Sequence, residues 1–341
     1  MNSQMNQSFT CVIVGAGISG LMAARALHTQ GINVIVLDKA RGVGGRLATR
    51  WVETAQNDKG YFDHGAQFFT VRDARFQSFV DEWLTAGIVR EWSRGFAQGN
   101  GAANNDGHPR YCATAGMNSI ARHLAQGMEV RVQTKVERLS HADGQWQIGL
   151  EGATTLHSDA LIMTTPAPQA LTLLEAGAYE LPTAARMAVE RIRYDPCFAL
   201  MVVLDAPPRL PEPGALQLQT EPITWIADNH RKGISPDVFT LTIHAGPEFT
   251  RQHWDSEPEI IARKMLHAAS AWVRVPVKSW QLHRWRYSQP QIVHPDACLF
   301  VDERAPLVFA GDAFGAPRVE GATLSGLAAA DALLEWISTK S

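Results

Sequence analysis

Residues 11–20 read CVIVGAGISG, and this stretch decides the fold. Its first four residues are apolar and predict a buried strand. Residues 21–27, LMAARAL, predict a helix that begins close behind the glycines. A strand, a glycine turn and a helix in this order are typical of a dinucleotide-binding fold.

The glycines and the helix start have separate tasks in such a turn. Gly15 makes the turn, Gly17 lets the backbone approach a pyrophosphate, and Gly20 lets the helix pack against the strand. Ser19 lies in the first helical turn, where amide groups bind phosphate. All four residues are predicted cofactor contacts.

A second apolar run, VIVL at residues 34–37, ends in Asp38. This carboxylate lies about 20 residues beyond the glycines and is predicted to accept a hydrogen bond from a ribose hydroxyl. The loop that follows, residues 39–46, reads KARGVGGR. Its amides and cationic side chains suit further phosphates, which favours FAD over NAD. The loop's predicted contacts are Lys39, Arg41, Gly45 and Arg46.

The other end of the chain carries a matching segment. Residues 307–310, LVFA, predict a buried strand that ends in Gly311 and Asp312, and a helix is predicted from residue 320 onward. A carboxylate beside a helix N-terminus suits the sugar-alcohol hydroxyls and the pyrimidine end of a flavin. Gly321 and Ala322 in that helix are therefore predicted contacts. A strand beginning at Val136 is predicted to supply backbone contacts to the adenine.

Four motifs together resemble the FAD-dependent amine oxidase superfamily. They are residues 15–20, 41–46, 63–70 (DHGAQFFT) and 311–312. Two further segments, TLTIH at residues 240–244 and WRYSQ at residues 285–289, resemble its renalase-like branch. The resemblance implies an FAD-dependent oxidase that uses molecular oxygen. Neither Cys298 nor His64 lies in a segment resembling the superfamily's attachment motif, so non-covalent FAD is expected.

The predicted fold class is α/β, with a discontinuous Rossmann-type domain and an α+β substrate domain built on an antiparallel sheet. The FAD-binding domain is expected to comprise residues 1–75, 106–165 and 295–341, and the substrate domain residues 76–105 and 166–294. Residues 98–107 are rich in Gly and Asn. They predict a mobile loop, with a lid as the alternative.

Residues 63–70 are the best indication of a flavin ring site. Gly65 and Ala66 are small enough for backbone to approach a flat ring, and Gln67 offers an amide there. Phe69 is a candidate for contact with the substrate. A tight turn with a buried aromatic pair is the alternative, and Asp63 and His64 are assigned structural roles because adjacent residues of an extended segment face opposite ways.

His244 is the candidate catalytic residue. Alternation over residues 239–244 puts His244 on the face opposite the apolar side chains, where it could reach a flavin cavity. A packing histidine is the alternative on spacing alone, and the renalase-like resemblance favours the cavity. Trp225, Asn229 and Trp285 are predicted to line the same pocket, together with Gln67.

Composition limits the other function classes. The chain has 31 basic and 34 acidic residues without a block of like charge, which argues against nucleic acid or a membrane surface as partner. Its four cysteines show no metal spacing, so reduced thiols and no metal are expected. The first nine residues lack a basic leader, and no apolar run approaches about 20 residues, so the cytoplasm is the expected location.

Three functions stay open. The first is hydride transfer from 2- or 6-dihydro isomers of NAD(P), giving NAD(P)+ and, with oxygen, hydrogen peroxide. The second is an oxidase or desaturase of an amine or another small reduced substrate, and the third is a flavin-binding redox sensor with little turnover. Lys232, Lys264 and Lys278 are predicted to be solvated, and the lack of a lysine that could hold a water favours the first function.

Overall fold

The computed structural model describes residues 10–55, 57–99, 103–302 and 305–340. The first nine residues, whose polarity entered the prediction of location, lie outside that range. The strands are β1 (Thr10–Val14), β2 (Asn33–Leu37), β3 (Thr49–Glu53), β4 (Lys59–Asp63), β5 (Val89–Gln98), β6 (Ala103–Ala113), β7 (Glu129–Arg131), β8 (Val136–Ala142), β9 (Gln145–Leu150), β10 (Thr155–Ser158), β11 (Ala160–Met163), β12 (Arg193–Leu204), β13 (Ala215–Gln217), β14 (Ile223–Asp228), β15 (Thr240–Ala245), β16 (Val277–Ile292), β17 (Leu299–Val301) and β18 (Leu307–Phe309).

The helices are α1 (Ile18–Thr29), α2 (Ala74–Thr85), α3 (Asn118–Leu124), α4 (Ala167–Ala176), α5 (Thr183–Glu190), α6 (Pro247–Gln252), α7 (Pro258–Val273) and α8 (Arg318–Lys340). The apolar runs at residues 11–14, 34–37 and 307–310 form the strands β1, β2 and β18, and the alternating stretch at residues 239–244 forms β15. Among the described residues, no helix is long and apolar enough to cross a membrane.

One compact unit consists of the described residues within 1–45, 121–193 and 290–341. Its six-stranded sheet has the order β17-β18-β11-β1-β2-β7. The pairs β1–β2, β1–β11, β11–β18 and β2–β7 are parallel, and only the edge pair β17–β18 is antiparallel. Alanines of α1 and α8 are buried in its core, which lets helices pack closely. The predicted Rossmann-type fold is confirmed.

A smaller sheet of the same unit has the order β10-β9-β8. Asp143 and Gly144 turn between β8 and β9 with φ of +53° and +79°, which is the backbone of a tight hairpin turn. β8 and β9 therefore form a hairpin. Helix α4 packs on β8, where the backbone of Gly177 approaches the carbonyl oxygen of Leu139.

The second unit consists of the described residues within 46–120 and 194–289. Its sheet has the order β16-β12-β15-β14-β13-β5-β6. β12–β15, β14–β15, β13–β14 and β5–β6 are antiparallel, whereas β13 pairs with β5 in parallel. The predicted antiparallel sheet is corrected to a mixed one at that pair. Helix α7 covers its apolar face through Ile261, Met265 and Ala269.

Residues 98 and 103–107 belong to the paired strands β5 and β6, which form a hairpin. The prediction of a loop is therefore wrong for these residues. β5 ends at Gln98 and β6 begins at Ala103, with Ala97 opposite Ala103 in antiparallel register. Residues 100–102 lie outside the described range. β6 is an edge strand of the sheet, and an edge strand tolerates polar side chains because little core covers it.

The two units divide the chain at other places than the expected domain boundaries. Residues 46–75 and 106–120 lie in the second unit, and residues 166–193 and 290–294 lie in the first. The hairpin β3–β4 belongs to the second unit because Thr240 Oγ1 donates to the carbonyl oxygen of Tyr61 at 2.7 Å. The functions expected of the two units stay predictions.

Candidate functional site

The turn between β1 and α1 has the features of an anion site. Its N-cap residue, Gly17, gives α1 no side-chain hydrogen bond, and Ser19 Oγ is buried with no hydrogen-bond partner among the described residues. A Cβ at Gly17 would meet nothing within 4 Å, so the helix N-terminus opens onto free space. Amides at such an end bind phosphate. The residues present therefore fit the pyrophosphate of a dinucleotide.

Gly15 holds a conformation that side chains rarely adopt. Its φ is +116°, and a Cβ there would lie 2.5 Å from Thr164 Oγ1. Thr164 follows β11, and its hydroxyl donates to the carbonyl oxygens of Val14 and Gly15 at 3.1 and 3.0 Å. A Cβ at Gly20 would overlap the carbonyl oxygen of Gly15. The start of α1 therefore packs closely, as predicted for Gly20. Sequence reasoning missed Thr164, although it stands directly after an apolar run.

The carboxylate of Asp38 fastens the glycine turn to the next loop. Oδ2 accepts from the amide of Ala16 and Oδ1 from the amide of Ala40, both at 2.8 Å. Each carboxylate oxygen has a second lone pair, so a ribose hydroxyl could still bind. Asp38 thus has a structural task that the sequence analysis did not foresee, beside its predicted contact.

Residues 39–46 are fixed next to the same turn by a hydrogen bond from the Gly44 amide to Ala16 O at 2.8 Å. Lys39, Arg41 and Gly45 are exposed. Arg46 belongs to the second unit. Its Nη1 donates to the carbonyl oxygens of residues 287 and 288 at 3.3 Å, so part of its guanidinium binds protein backbone, which the phosphate prediction had not included.

The C-terminal segment reaches the same edge of the first unit's sheet. Gly311 has φ +134°, and its amide donates to Ser325 Oγ at 2.8 Å. A Cβ at Gly311 would lie 3.8 Å from the carbonyl oxygen of Thr164. Because Thr164 also contacts Gly15, both predicted cofactor segments meet at the carboxyl ends of parallel strands, where open α/β sheets bind ligands.

The remaining predicted contacts of this unit are buried. Asp312 is 9% exposed and Ala322 8%. Helix α8 begins at Arg318, two residues before the predicted start, and Gly321 lies buried in it. Val136 is the first residue of β8.

In the second unit, side chains hold the backbone of residues 63–67, here called the 63–67 segment. Asp63 O accepts from Gln67 Nε2 at 2.5 Å and from Thr242 Oγ1 at 2.9 Å. Gly65 O accepts from Gln67 Nε2 at 3.1 Å, and Gln67 O accepts from Lys232 Nζ at 2.6 Å. Hydrogen bonds from Gln67 within the segment, from Thr242 of β15 and from Lys232 in the turn after β14 therefore fix the segment, which fits a rigid wall of a site.

Lys232 is fully buried, so the prediction that it is solvated is wrong. Its Nζ lies 2.7 Å from Asp63 Oδ2 and 4.9 Å from the centre of the Trp92 ring. Asp63 Oδ1 accepts from Thr49 Oγ1 at 2.6 Å and from the Met117 amide at 2.8 Å. The polar residues around Lys232 suggested solvent, and its partner is 169 positions away. By contrast, Lys278 and Lys264 are exposed, as predicted.

The His64 carbonyl oxygen determines which ring nitrogen of His244 carries the hydrogen. It accepts from Trp285 Nε1 at 2.9 Å and lies 3.2 Å from His244 Nε2. A carbonyl oxygen only accepts, so His244 Nε2 carries hydrogen. Burial lowers the pKa of His244 to about 4, so the ring is neutral near pH 7 and its Nδ1 is an acceptor.

Three aromatic rings pack beside that carbonyl. His64 lies over Trp285 with centroids 5.4 Å apart and meets His283 edge-on at 5.1 Å. Burial, assisted by His283 and Arg50, lowers the pKa of His64 to about 3. Burial and then Arg50 lower that of His283 to about 4. At neutral pH the group carries no histidine charge.

Several predicted lining residues lie together and carry polar atoms without a hydrogen-bond partner among the described residues. Asn229 Nδ2 donates to Thr242 Oγ1 at 3.1 Å. Thr242 Oγ1 in turn donates to Asp63 O, which also accepts from Gln67 Nε2. Trp225 lies opposite His244 in the β14–β15 register. The buried unpartnered atoms are Gln67 Oε1, Asn229 Oδ1 and Trp225 Nε1. Buried atoms of this kind are expected to bind a ligand or water.

Phe69 does not fit its predicted contact with a substrate. It is 3% exposed. Its ring packs against Phe76 at 5.6 Å, Trp83 at 6.4 Å and Tyr111 at 5.6 Å. Phe69 and Tyr111 exchange backbone hydrogen bonds, and this bridge directs the ring into an aromatic core. Phe68, which is half-buried, instead contacts Trp225 at 5.6 Å.

Comparison with known proteins identifies the family. A model of NAD(P)-binding Rossmann-like domains matches residues 13–83. The model of the flavin containing amine oxidoreductases matches residues 73–334, which is more than half of the chain. The chain belongs to the flavin containing amine oxidoreductases. It is therefore an FAD-dependent oxidoreductase, and the open, uncapped turn at Gly17 fits that cofactor.

Relatives in this family differ in how much of the chain they match. Renalase of Mus musculus is 23% identical over 344 residues, which cover 96% of this chain and 99% of that protein. Amine oxidase [flavin-containing] B of Cavia porcellus is 53% identical, but over 45 residues that cover 13% of this chain and 9% of that protein. The full-length match supports the renalase-like branch.

Solved structures show the same fold. A putative protoporphyrinogen oxidase from Exiguobacterium sp. 255-15 has a TM-score of 0.73 at 13% identity and covers 98% of this chain and 100% of its own. Cyclohexylamine oxidase from Brevibacterium oxydans IH-35A has a TM-score of 0.71 at 14% identity, with 97% and 100% covered. At these identities the likeness is one of fold.

Proposed function

We propose that the protein oxidises 2- and 6-dihydro isomers of NAD(P) to NAD(P)+, with molecular oxygen as the final electron acceptor and hydrogen peroxide as the second product. Three buried polar atoms of the second unit, which have no hydrogen-bond partner among the described residues, carry the proposal. Gln67 Oε1 and Asn229 Oδ1 are acceptors, and Trp225 Nε1 is a donor. A primary carboxamide offers two N–H donors and one carbonyl acceptor, and a nicotinamide bears this group.

The assignment of those atoms follows from their neighbours. Asn229 Nδ2 faces Thr242 Oγ1 and the carbonyl oxygen of Thr240, so the amide nitrogen must be on that side. Gln67 Nε2 faces two carbonyl oxygens, so its nitrogen is fixed as well. Both amide oxygens therefore point away from their protein partners, and both seek a donor.

Neutral histidines suit the charge change of this reaction. When bound, FAD supplies the hydride acceptor and passes the electron pair to oxygen. A dihydropyridine that loses hydride becomes an aromatic cation and releases no proton. His244, with a pKa lowered to about 4, adds no positive charge opposite that cation. Its Nδ1 can accept from the substrate, which makes His244 the proposed catalytic residue without a proton-transfer role.

The proposed cofactor contacts follow the sequence motifs. Gly15, Gly17, Ser19, Gly20 and Asp38 would hold phosphates and ribose. Lys39, Arg41, Gly45 and Arg46 would add phosphate contacts, Val136 backbone contacts, and Gly311, Asp312, Gly321 and Ala322 the flavin's polar end. Gly65, Ala66 and Gln67 would meet the ring, and Gln67, Trp225, Asn229, His244 and Trp285 the substrate. FAD is proposed to be non-covalent, so acid precipitation should leave the flavin in solution.

Oxidation of an amine is the second candidate, and one observation favours it. Lys232 is buried beside Gln67, and a buried lysine of this kind could hold a water in an amine oxidase. In the sequence, the lack of such a lysine had favoured a dihydronicotinamide as the substrate. Two of its three N–H groups bind Asp63 Oδ2 and Gln67 O. A redox sensor with little turnover is the third.

Anaerobic mixing separates the three. Borohydride-reduced NAD(P), which contains the 2- and 6-dihydro isomers, is mixed with the FAD-loaded protein, with ordinary 4-dihydro NADH and a panel of amines as parallel arms. We expect flavin bleaching by the 2- and 6-isomers within seconds and little by the other arms. Bleaching by amines alone would support the second function, and none by any arm the third.

A further inference from the structure

We infer that Lys232 is a positioning residue for His244: it holds the 63–67 segment so that the His64 carbonyl oxygen fixes His244 with hydrogen on Nε2 and a bare Nδ1. The inference rests on the proposed function only where it has His244 Nδ1 accept a hydrogen bond from the substrate. The position of the proton can be measured without any substrate.

Lys232 bridges the two ends of the 63–67 segment. Lys232 Nζ contacts both ends of the 63–67 segment, Asp63 Oδ2 at 2.7 Å and Gln67 O at 2.6 Å. His64 lies between those two anchors, and its carbonyl oxygen meets His244 Nε2 at 3.2 Å. Because Lys232 and Asp63 are both 0% exposed, solvent cannot replace either contact. Loss of Lys232 would remove the anchor at Gln67 O and one contact of Asp63, and so loosen the carbonyl, which Trp285 Nε1 still binds.

Asp63 extends the same support on its other side. Its Oδ1 accepts from Thr49 Oγ1 and from the Met117 amide at 2.6 and 2.8 Å, and Thr49 Oγ1 in turn accepts from the Asn118 amide at 3.1 Å. The aspartate is thus held from two elements even without the lysine. What Lys232 adds is the contact with Gln67 O and the neutralising charge.

Lys232 also acts on His244 through its charge. His283 and Arg50 act on the neighbouring His64, and Asp63 lies 2.7 Å from Lys232 Nζ. The positive charge of Lys232 adds to burial in lowering the pKa of His244. Removing it would leave the buried Asp63 carboxylate uncompensated, and a nearby negative charge stabilises a protonated imidazole. The pKa of His244 should therefore rise.

A merely structural ion pair would change stability and nothing else. The discriminating readout is the nitrogen spectrum of the imidazoles in the FAD-loaded full-length protein, because protonated and bare ring nitrogens resonate far apart. The chain has 12 histidines, and His244→Gln identifies the signal of His244 by its loss. The test compares wild type, Lys232→Met, Lys232→Arg and Lys278→Met.

Lys278→Met is the matched control. Lys278 also forms an ion pair, with Asp205 at 2.9 Å, but its side chain is 51% exposed. We expect wild type to show His244 neutral with hydrogen on Nε2, and Lys278→Met to match it. Lys232→Met should raise the titration midpoint of His244 by about one unit or more and mix its tautomers. Lys232→Arg, which keeps charge and donors, should restore the wild-type spectrum.

Two results overturn the inference. One is a wild-type His244 with hydrogen on Nδ1, or protonated near pH 7. The other is an unchanged His244 spectrum in a folded Lys232→Met protein. Should Lys232→Met not fold, Asp63→Asn decides: it leaves the lysine charge unbalanced, so the His244 midpoint must not rise above wild type. Failure of the proposed function is a separate result, namely no flavin bleaching by dihydronicotinamides.

Discussion

Lys232 Nζ lies 2.7 Å from Asp63 Oδ2, and neither side chain reaches solvent. A buried pair of this kind pays desolvation for both charges and gains stability only when the remaining hydrogen bonds are satisfied. Here the carboxylate also binds Thr49 Oγ1 and the Met117 amide. The pair ties β4 to the turn that follows β14.

Removal of one partner should therefore be costly. We expect Lys232→Met to lower the free energy of unfolding by about 3–5 kcal/mol, because Asp63 remains buried and unpaired. Lys278→Met breaks the exposed pair with Asp205 and should cost about 0–1 kcal/mol. Urea unfolding of the two variants checks this. Equal midpoints would show that the buried pair does not act as described.

Asp38 gives the second prediction. Asp38→Ala removes two hydrogen bonds that join the glycine turn to the next loop and the proposed ribose acceptor. FAD affinity should fall by about 10–100-fold, as for a lost charge-assisted bond of about 1.5–3 kcal/mol. Asp58→Ala, at an exposed position, is the control. FAD retention after gel filtration, equal in both variants, would contradict the assignment.

His244 gives the third prediction. His244→Ala should slow flavin reduction by dihydronicotinamide isomers by about 10–100-fold, the effect of losing one positioning hydrogen bond of about 1.4–2.7 kcal/mol. FAD content should stay unchanged, because no proposed cofactor contact is lost. His267→Ala on the exposed side of α7 is the control. Reduction at the wild-type rate would make His244 a packing residue.

The pH dependence of that step has a definite sign. His244 has a pKa lowered to about 4. Protonation removes the Nδ1 acceptor and adds positive charge opposite the developing cation. The rate constant of reduction should be flat from about pH 8 to about pH 6 and fall below about pH 5. A profile with an essential base near pH 7 would contradict hydride loss without proton transfer.

The free energy of unfolding should fall on mild acidification, because three histidines of the second unit have lowered pKa values. His64, His244 and His283 have pKa values lowered to about 3, 4 and 4 from 6.5. Between about pH 6.5 and pH 4 the unfolded chain thus binds more protons, so stability is present above that window and is lost as pH falls through it. Urea midpoints at several pH values check this, and His283→Gln should flatten the slope.

Much of the first unit could be predicted because its signals are local. The strand, turn and helix at residues 10–29 and the strand before Gly311 are contiguous patterns whose periodicity shows in the sequence. What could not be predicted depends on contacts between distant residues. Thr164 meets Gly15 across 149 positions, and no local pattern indicates such a contact.

The second unit shows the same limit more strongly. The alternation over residues 240–244 predicted the strand and the candidate His244, and the motif at residues 63–70 predicted a functional segment. The burial of Lys232 depends on Asp63, and the packing of Phe69 depends on its bridge to Tyr111. A lysine among polar residues looks solvated until its partner is known, and alternation alone cannot tell which aromatic residue of a pair faces a core.

The central claim is that this FAD-dependent oxidoreductase accepts hydride from misreduced nicotinamides. Anaerobic stopped-flow mixing of the FAD-loaded protein with borohydride-reduced NAD(P) tests it most directly, with the flavin absorbance as readout. The account predicts rapid bleaching with NAD(P)+ formed in equal amount, and re-oxidation on admitting oxygen. A flavin that stays oxidised with the dihydronicotinamide isomers, while an amine bleaches it, would contradict the account.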